Sequence, residues 1–311
     1  MDKRTRLYEE LREASRAEIA RRVETHKLET ARIHYLHKQL RALKKPLPQV
    51  PLDFLAIGDS WFNYPLDGNI LAPLPTNFAI VADWQLGAMG NPPPRILSQA
   101  MWGQATTAVL SYENQQAMIN VLQDPNQWLN QQTGLPDAIL ISAGGDDLVG
   151  DQFAIYLDYG GGGGLNQARF QGALDSVKAS YMDLFAFRDI FAKDVPIIGH
   201  CYDYAIPNGI HPLCVPRGWL WPSLNFAGYD YNAGLGIVTQ MIDQFHGMLN
   251  NLAASKANNF VFVDTRSTLT RNASYPNGWA NEIHPYPTGF TALANKFLIA
   301  LRAMPAFKNR I

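Results

Sequence analysis

The chain has 311 residues, of which 47% are hydrophobic and 17% charged, with a formal net charge of −1. That balance supports a sizeable core and excludes a disordered chain, and no apolar run reaches the roughly 18–20 residues that a membrane-spanning helix needs. Two cysteines, Cys201 and Cys214, make no disulfide framework; reduced thiols in a cytoplasmic protein are expected, and the charged N-terminus fits neither a secretory signal nor a transit peptide.

Charge is unevenly spread. Residues 1–45 hold 13 Lys and Arg against 7 Asp and Glu, a balance of +6, which leaves −7 for the remainder. Residues 2–44 lack Gly and Pro and are rich in Arg, Glu, Ala, Leu and Lys, the composition of a strong helix former. Ile33, Leu36, Leu40 and Leu43 recur at helical spacing, and Leu7 and Leu11 begin a similar stripe. The stripe is thin, so this helix is expected to lean on its own body, on an acidic partner or on a second copy of the chain. Lys45 to Pro51 (KPLPQVP) breaks it, dividing a basic helical arm (1–46) from a body (47–311).

Beyond the break, short apolar runs alternate with helical patterns. The runs are Asp53–Ile57, Arg95–Met101, Ala138–Ala143, Val195–His200 and Asn259–Asp264. The helical stretches fall near Ala79–Met89, Thr106–Leu122, Gln167–Lys193, Ala233–Lys256 and Thr288–Ala303. Continuous apolar runs suit strands buried on both faces, and the alternation predicts an α/β three-layer sandwich around a five-stranded, mainly parallel sheet. Two segments break the rhythm. Gly160–Gly164 reads as a flexible loop, and Asn208–Tyr231, rich in Pro, Gly and aromatics, as an excursion over one face.

In such a sheet, ligands collect beyond the C-terminal ends of the strands. Gly58-Asp59-Ser60-Trp61 follows the first run, Trp102-Gly103-Gln104 the second and Gly144-Gly145-Asp146-Asp147 the third. Asn281-Glu282-Ile283-His284-Pro285 follows the fifth, past a loop. One edge thus gathers a serine, a late histidine, backbone-exposing glycines and acids. A serine nucleophile needs a base for its proton and donors for the oxyanion, and this edge can supply both.

These four blocks, in this order, resemble the SGNH (GDSL) hydrolase family, over roughly residues 52–303. The resemblance implies a flavodoxin-like sandwich, no metal, no organic cofactor, and hydrolysis of esters, thioesters or O-acyl groups in a small or polymeric substrate. It implies Ser60 as nucleophile and oxyanion donor, His284 as general base, and Gly103 as a second oxyanion donor, chosen over Gly87 and Gly90 because it directly follows a strand. Two positions depart from the family pattern. Asp146 stands where the family has Asn, and Asn281 where it has Asp. An ionised Asp146 about 3 Å from an oxyanion would repel it by roughly 5 kcal/mol at an effective dielectric of 20. Asp146 is therefore expected to serve the oxyanion only when protonated. Asn281 can orient the imidazole but brings no charge; Glu282, Asp264 or a backbone carbonyl are the other candidates for that place.

Other readings compete. Ser60 suits the cap of a following helix, and Asp147 suits a cap on the turn that follows it. The exchanged residues also fit a degenerate member that binds an acylated ligand or acts as a scaffold, and a third reading is acyl transfer to an alcohol. His200, His211 and the cysteines have no recognised metal spacing. The glycine run lacks the Gly-Lys-Ser/Thr of a phosphate loop, and no nucleic-acid partner is expected.

Overall fold

Strands β1 (Asp53–Gly58) and β3 (Ala138–Ser142) are buried along their whole length, as strands covered on both faces must be. The structure is a computed structural model and describes residues 3–64, 79–82, 86–212, 215, 217–272 and 278–311. β1 pairs in parallel with β2 (Arg95–Ser98) and with β3, and β4 (Ile197–His200) and β5 (Phe260–Val263) complete a parallel sheet of order β2-β1-β3-β4-β5. In this doubly wound order the chain runs from β1 outward to β2, then back past β1 to β3. The crevice at that switch lies beyond the ends of β1 and β3.

Helices cover both faces. They are α1 (Lys3–Ala42), α2 (Thr106–Val109), α3 (Tyr112–Leu122), α4 (Gly145–Leu148), α5 (Gln167–Phe191), α6 (Trp221–Phe226), α7 (Tyr231–Ala254) and α8 (Pro287–Ala303). On one face Phe260 packs against Tyr181 and Phe185 of α5, and Phe262 against His246 of α7. On the other, His200 packs against Phe297 of α8, and Phe54 against Phe307 just beyond it. The predicted three-layer α/β sandwich is therefore present. Asn166 and Asp230 start α5 and α7 by accepting the backbone N–H of Arg169 and Ala233 at 3.1 and 2.8 Å, the usual work of such residues at a helix start.

Three expectations need correction. The helix expected near Ala79–Met89 is replaced, over its described residues, by turns and one 3₁₀ turn at Leu86–Ala88; two glycines and a run of prolines close behind leave it little room. The stretch Thr106–Leu122 breaks at Leu110–Ser111, where Ser111 takes an extended backbone before α3. The glycine run is held rather than loose. Gly160 and Gly161 donate to the Ala227 carbonyl at 3.0 and 3.1 Å, and Gly164 to the Tyr229 hydroxyl at 2.7 Å.

The long α1 lies against the β2 edge through buried polar groups. Asp53 at the start of β1 accepts from His26 Nε2 (2.8 Å), Arg95 Nη1 (3.0 Å) and the Leu129 N–H (2.9 Å). Gln127 Nε2 donates to His26 Nδ1 at 3.0 Å, which leaves the proton on Nε2 and makes His26 a neutral donor to Asp53. Arg95 Nη2 reaches the His26 carbonyl and Thr30 Oγ1 at 2.9 and 2.8 Å. Farther toward the N-terminus, Leu11 joins the core and Trp102 Nε1 donates to Ser15 Oγ at 2.9 Å. Covering an edge strand in this way removes a template for unwanted pairing.

Candidate active site

Ser60 and His284 meet. Ser60 sits in the turn that leaves β1, and its Oγ lies 2.7 Å from His284 Nε2 although 224 positions separate the two. Gly58 at φ +135° makes the turn possible: a Cβ there would stand 2.1 Å from the Ser142 carbonyl oxygen. The N–H groups of Ser60 and Gly103 have no acceptor among the described residues. Gly103, at φ +69°, follows a segment whose Met101 N–H donates to the Gly58 carbonyl at 2.8 Å, which lays it beside the serine turn.

The ring of His284 is held by Asn281. Asn281 Oδ1 accepts from the backbone N–H of Ile283 (3.1 Å) and of His284 (2.9 Å), and lies 3.1 Å from His284 Nδ1. Its Nδ2 donates to the Tyr64 hydroxyl at 2.9 Å. Two backbone donors fix which end of the amide is oxygen, so Nδ1 carries the proton and Nε2 presents its lone pair to Ser60. A misoriented Asn would present its NH₂ and force the opposite tautomer; the Tyr64 hydroxyl and the 281–284 turn prevent that. Tyr64 stacks on the imidazole at 3.9 Å between centroids, and Trp219 meets its edge at 5.4 Å. Burial with no carboxylate beside it lowers the His284 pKa to about 3, so the ring is neutral at ordinary pH.

Neither carboxylate candidate orients the ring. The Glu282 carboxylate is occupied by the backbone N–H groups of Gly209, Trp219, Leu220 and Trp221. Asp264 pairs with Arg266 at 3.0 Å and His246 at 3.4 Å.

Beneath the serine runs a buried chain of hydrogen bonds whose directions are all determined. The Tyr202 N–H donates to His200 Nδ1 (3.1 Å), so His200 Nε2 donates to Ser142 Oγ (2.9 Å), and Ser142 donates to Asp59 Oδ1 (2.6 Å). The Tyr202 hydroxyl donates to Asp59 Oδ2 and accepts the Gly145 N–H at 2.9 Å. The Trp61 N–H adds a third donor to Asp59 at 3.0 Å. Asp59 is pushed up to about 6 by burial, which these hydrogen bonds oppose. His200 is lowered to about 3 by burial alone.

Asp146 has the opposite surroundings. Its Oδ2 is enclosed and has no hydrogen-bond partner. Burial first, then the nearby Asp59 and Asp147 charges, push its pKa up to about 8. Asp146 and Ser60 line one cavity of about 40 Å³, whose far wall is apolar: Leu148, Val149, Met241, Ile242 and Phe245. Asp147 caps a different helix from the one expected. Its Oδ2 accepts the Thr106 N–H (2.8 Å) and hydroxyl (2.5 Å) at the start of α2, tying the third block to the second. The described residues hold no group of three or more His, Cys, Asp or Glu placed to bind a metal ion.

No family model and no curated protein matches the sequence. Solved structures do match. A lipase from a goat rumen metagenome is 18% identical with a TM-score of 0.48, covering 80% of this chain and 97% of its own. An extracellular lipase from Streptomyces rimosus is 15% identical with a TM-score of 0.48, covering 80% and 99%. A family 3 carbohydrate esterase from Clostridium thermocellum is 15% identical with a TM-score of 0.42, covering 80% and 94%. Among the other solved structures it resembles are a putative GDSL-like lipase from Parabacteroides merdae and a member of the lipolytic G-D-S-L family from Veillonella parvula.

Of the residues that the GDSL pattern singles out, the structure brings Ser60, His284 and Asn281 into one hydrogen-bonded line. Asp146 lines a cavity with Ser60, and Gly103 stands on a neighbouring loop. Sequence reasoning did not find Tyr64, which stacks on the imidazole, or the support given by Asp59 and Tyr202. The place of Tyr202 after the fourth run, at the crevice edge, is readable in the sequence, and it lines the cavity with Ser60; its hydrogen bond to Asp59 is not readable there.

Proposed function

We propose that the chain is a serine esterase of SGNH type, working through an acyl-Ser60 intermediate. The observation that carries this reading is the 2.7 Å contact between Ser60 Oγ and the unprotonated Nε2 of His284. In acylation, Ser60 Oγ bonds to the ester carbonyl carbon while its proton passes to His284 Nε2. The tetrahedral oxyanion accepts from the N–H groups of Ser60 and Gly103 and from the protonated carboxyl of Asp146. Collapse breaks the bond to the alkoxy oxygen, which leaves with the proton from His284. Water then repeats the sequence: His284 takes its proton, the hydroxyl bonds to the acyl carbon, and the acid departs as Ser60 regains its hydrogen. No step needs a metal or an organic cofactor.

The apolar wall of the cavity favours an aliphatic acyl group over a bare sugar. A cytoplasmic location belongs to the same proposal and rests on Cys201, a buried free thiol; Cys214 lies outside the described residues. No described helix is long and apolar enough to cross a membrane.

A fluorophosphonate probe tests the reading. Wild-type protein should form one adduct, on Ser60, and hydrolyse p-nitrophenyl esters. Ser60→Ala should abolish both while keeping the thermal transition. A folded wild-type protein that takes up no probe and cleaves no ester would end this assignment in favour of a binding module.

A further inference from the structure

One face of α7 does two jobs. Val238, Met241, Ile242, Phe245 and Leu249 recur at helical spacing and are buried. Met241, Ile242 and Phe245 also line the cavity that Ser60 borders, together with Leu148 and Val149 from the turn after β3. Rigidity differs along this wall. Phe245 is fixed: its ring stacks on Tyr202 at 5.7 Å between centroids and lies against Gly144, where a Cβ would stand 2.7 Å from it. Ile242 is branched at Cβ and stiff. Met241 is unbranched and is the pliable member.

The cavity holds about 40 Å³; at roughly 10–15 Å³ for each water-sized group, it takes about three. Which part of an ester enters it follows from tetrahedral geometry. The carbon bonded to Ser60 Oγ carries an oxyanion, a leaving oxygen and the acyl chain. The leaving oxygen must reach His284 Nε2 for its proton, and the oxyanion lies against the N–H groups of Ser60 and Gly103. His284 and Gly103 are not among the described residues that line the cavity, while Asp146 borders both places. The acyl chain is therefore the arm left to enter it. Resting on the serine-esterase reading, we propose that this cavity is the acyl pocket and that Met241 and Ile242 set its length. The substrates are then esters of short linear acids, of about two to four carbons.

The p-nitrophenyl esters of acetic, butyric, hexanoic and octanoic acids, assayed with the full chain, test this. In the wild type kcat/KM should rise about fourfold for each added methylene as far as butyrate. It should then fall about tenfold by octanoate, whose longer tail has to displace packed side chains. Met241→Ala clears everything beyond Cβ and should move the optimum to hexanoate, with octanoate gaining about tenfold over butyrate. Because that change can also unfold a core, Ile242→Val is the second variant. It removes one methyl group at small cost to packing and should raise hexanoate relative to butyrate about fourfold. Neither variant should alter the preference among ethyl, butyl and hexyl butyrates, which differ only in the alcohol. A wild-type profile still rising at octanoate overturns the proposal, as does an optimum that both variants leave in place. A shift confined to the alcohol series assigns the cavity to the leaving group and overturns it too. Those failures leave Ser60 catalytic, whereas a wild type that cleaves no ester ends the esterase reading itself and the acyl pocket with it.

Discussion

Asp146→Asn removes an ionisable group from the proposed oxyanion site while keeping its shape. With the wild-type carboxyl pushed up to about 8, a carboxylate would be roughly half formed at pH 8 and about nine-tenths formed at pH 9. If only the protonated carboxyl can donate to the oxyanion, kcat/KM should fall about tenfold per pH unit above 8, or roughly 1.4 kcal/mol per unit. The Asn variant donates from an amide at every pH and should lack this alkaline limb. The expected outcome is similar kcat/KM at pH 6 and a variant about tenfold faster at pH 9, measured with p-nitrophenyl butyrate after subtracting spontaneous hydrolysis. Stability carries an independent sign. Because folding raises this pKa above its ordinary 3.8, the folded state holds the proton more tightly. Its stabilising share is complete below about pH 4 and is lost as pH rises through about 8. The Tm advantage of the variant should therefore grow between pH 5 and pH 9. A variant slower than wild type at every pH, or one that keeps an alkaline limb near 8, would refute the reasoning.

Asn281→Asp places a carboxylate against His284 Nδ1. Stabilising the imidazolium should raise kcat/KM about tenfold at pH 7, and the acid limb should move upward from the low range set by burial, as a pH–rate profile would reveal. Glu282→Ala would strand the N–H groups of Gly209, Trp219, Leu220 and Trp221. A stability loss of several kcal/mol is expected, read by urea titration, with lower kcat as Trp219 leaves the imidazole. Asp53→Ala leaves His26 and Arg95 without their shared acceptor and should cost about 3–5 kcal/mol. Limited proteolysis should then cut within α1 before the body; equal resistance in mutant and wild type would mean that α1 is held by its apolar contacts instead.

Much of the sheet could be read directly because β1 and β3 are buried on both faces and so appear as unbroken apolar runs. The site was legible for a related reason: a parallel sheet delivers each strand end to the same edge, so short motifs after separate strands become neighbours. Helix boundaries were less legible. The break at Ser111 depends on one extended residue inside a favourable helical composition, and local propensity does not register it. The docking of α1 was hidden for another reason. His26 and Thr30 read as polar surface, yet they are 5% and 0% exposed, because their partners Asp53, Arg95 and Gln127 come from distant parts of the chain. Buried polar matches of that kind leave no periodic trace.

The directed hydrogen-bond chain from His200 to Gly145 has a consequence for how this molecule can change over generations. The turn that carries Ser60 and the turn after β3 are bolted into one unit by Ser142, Asp59 and Tyr202. The excursion at Asn208–Tyr231 hangs from a different anchor, the carboxylate of Glu282. Substitutions along that excursion can therefore shift Trp219 against the His284 ring while the unit beneath Ser60 stays in register.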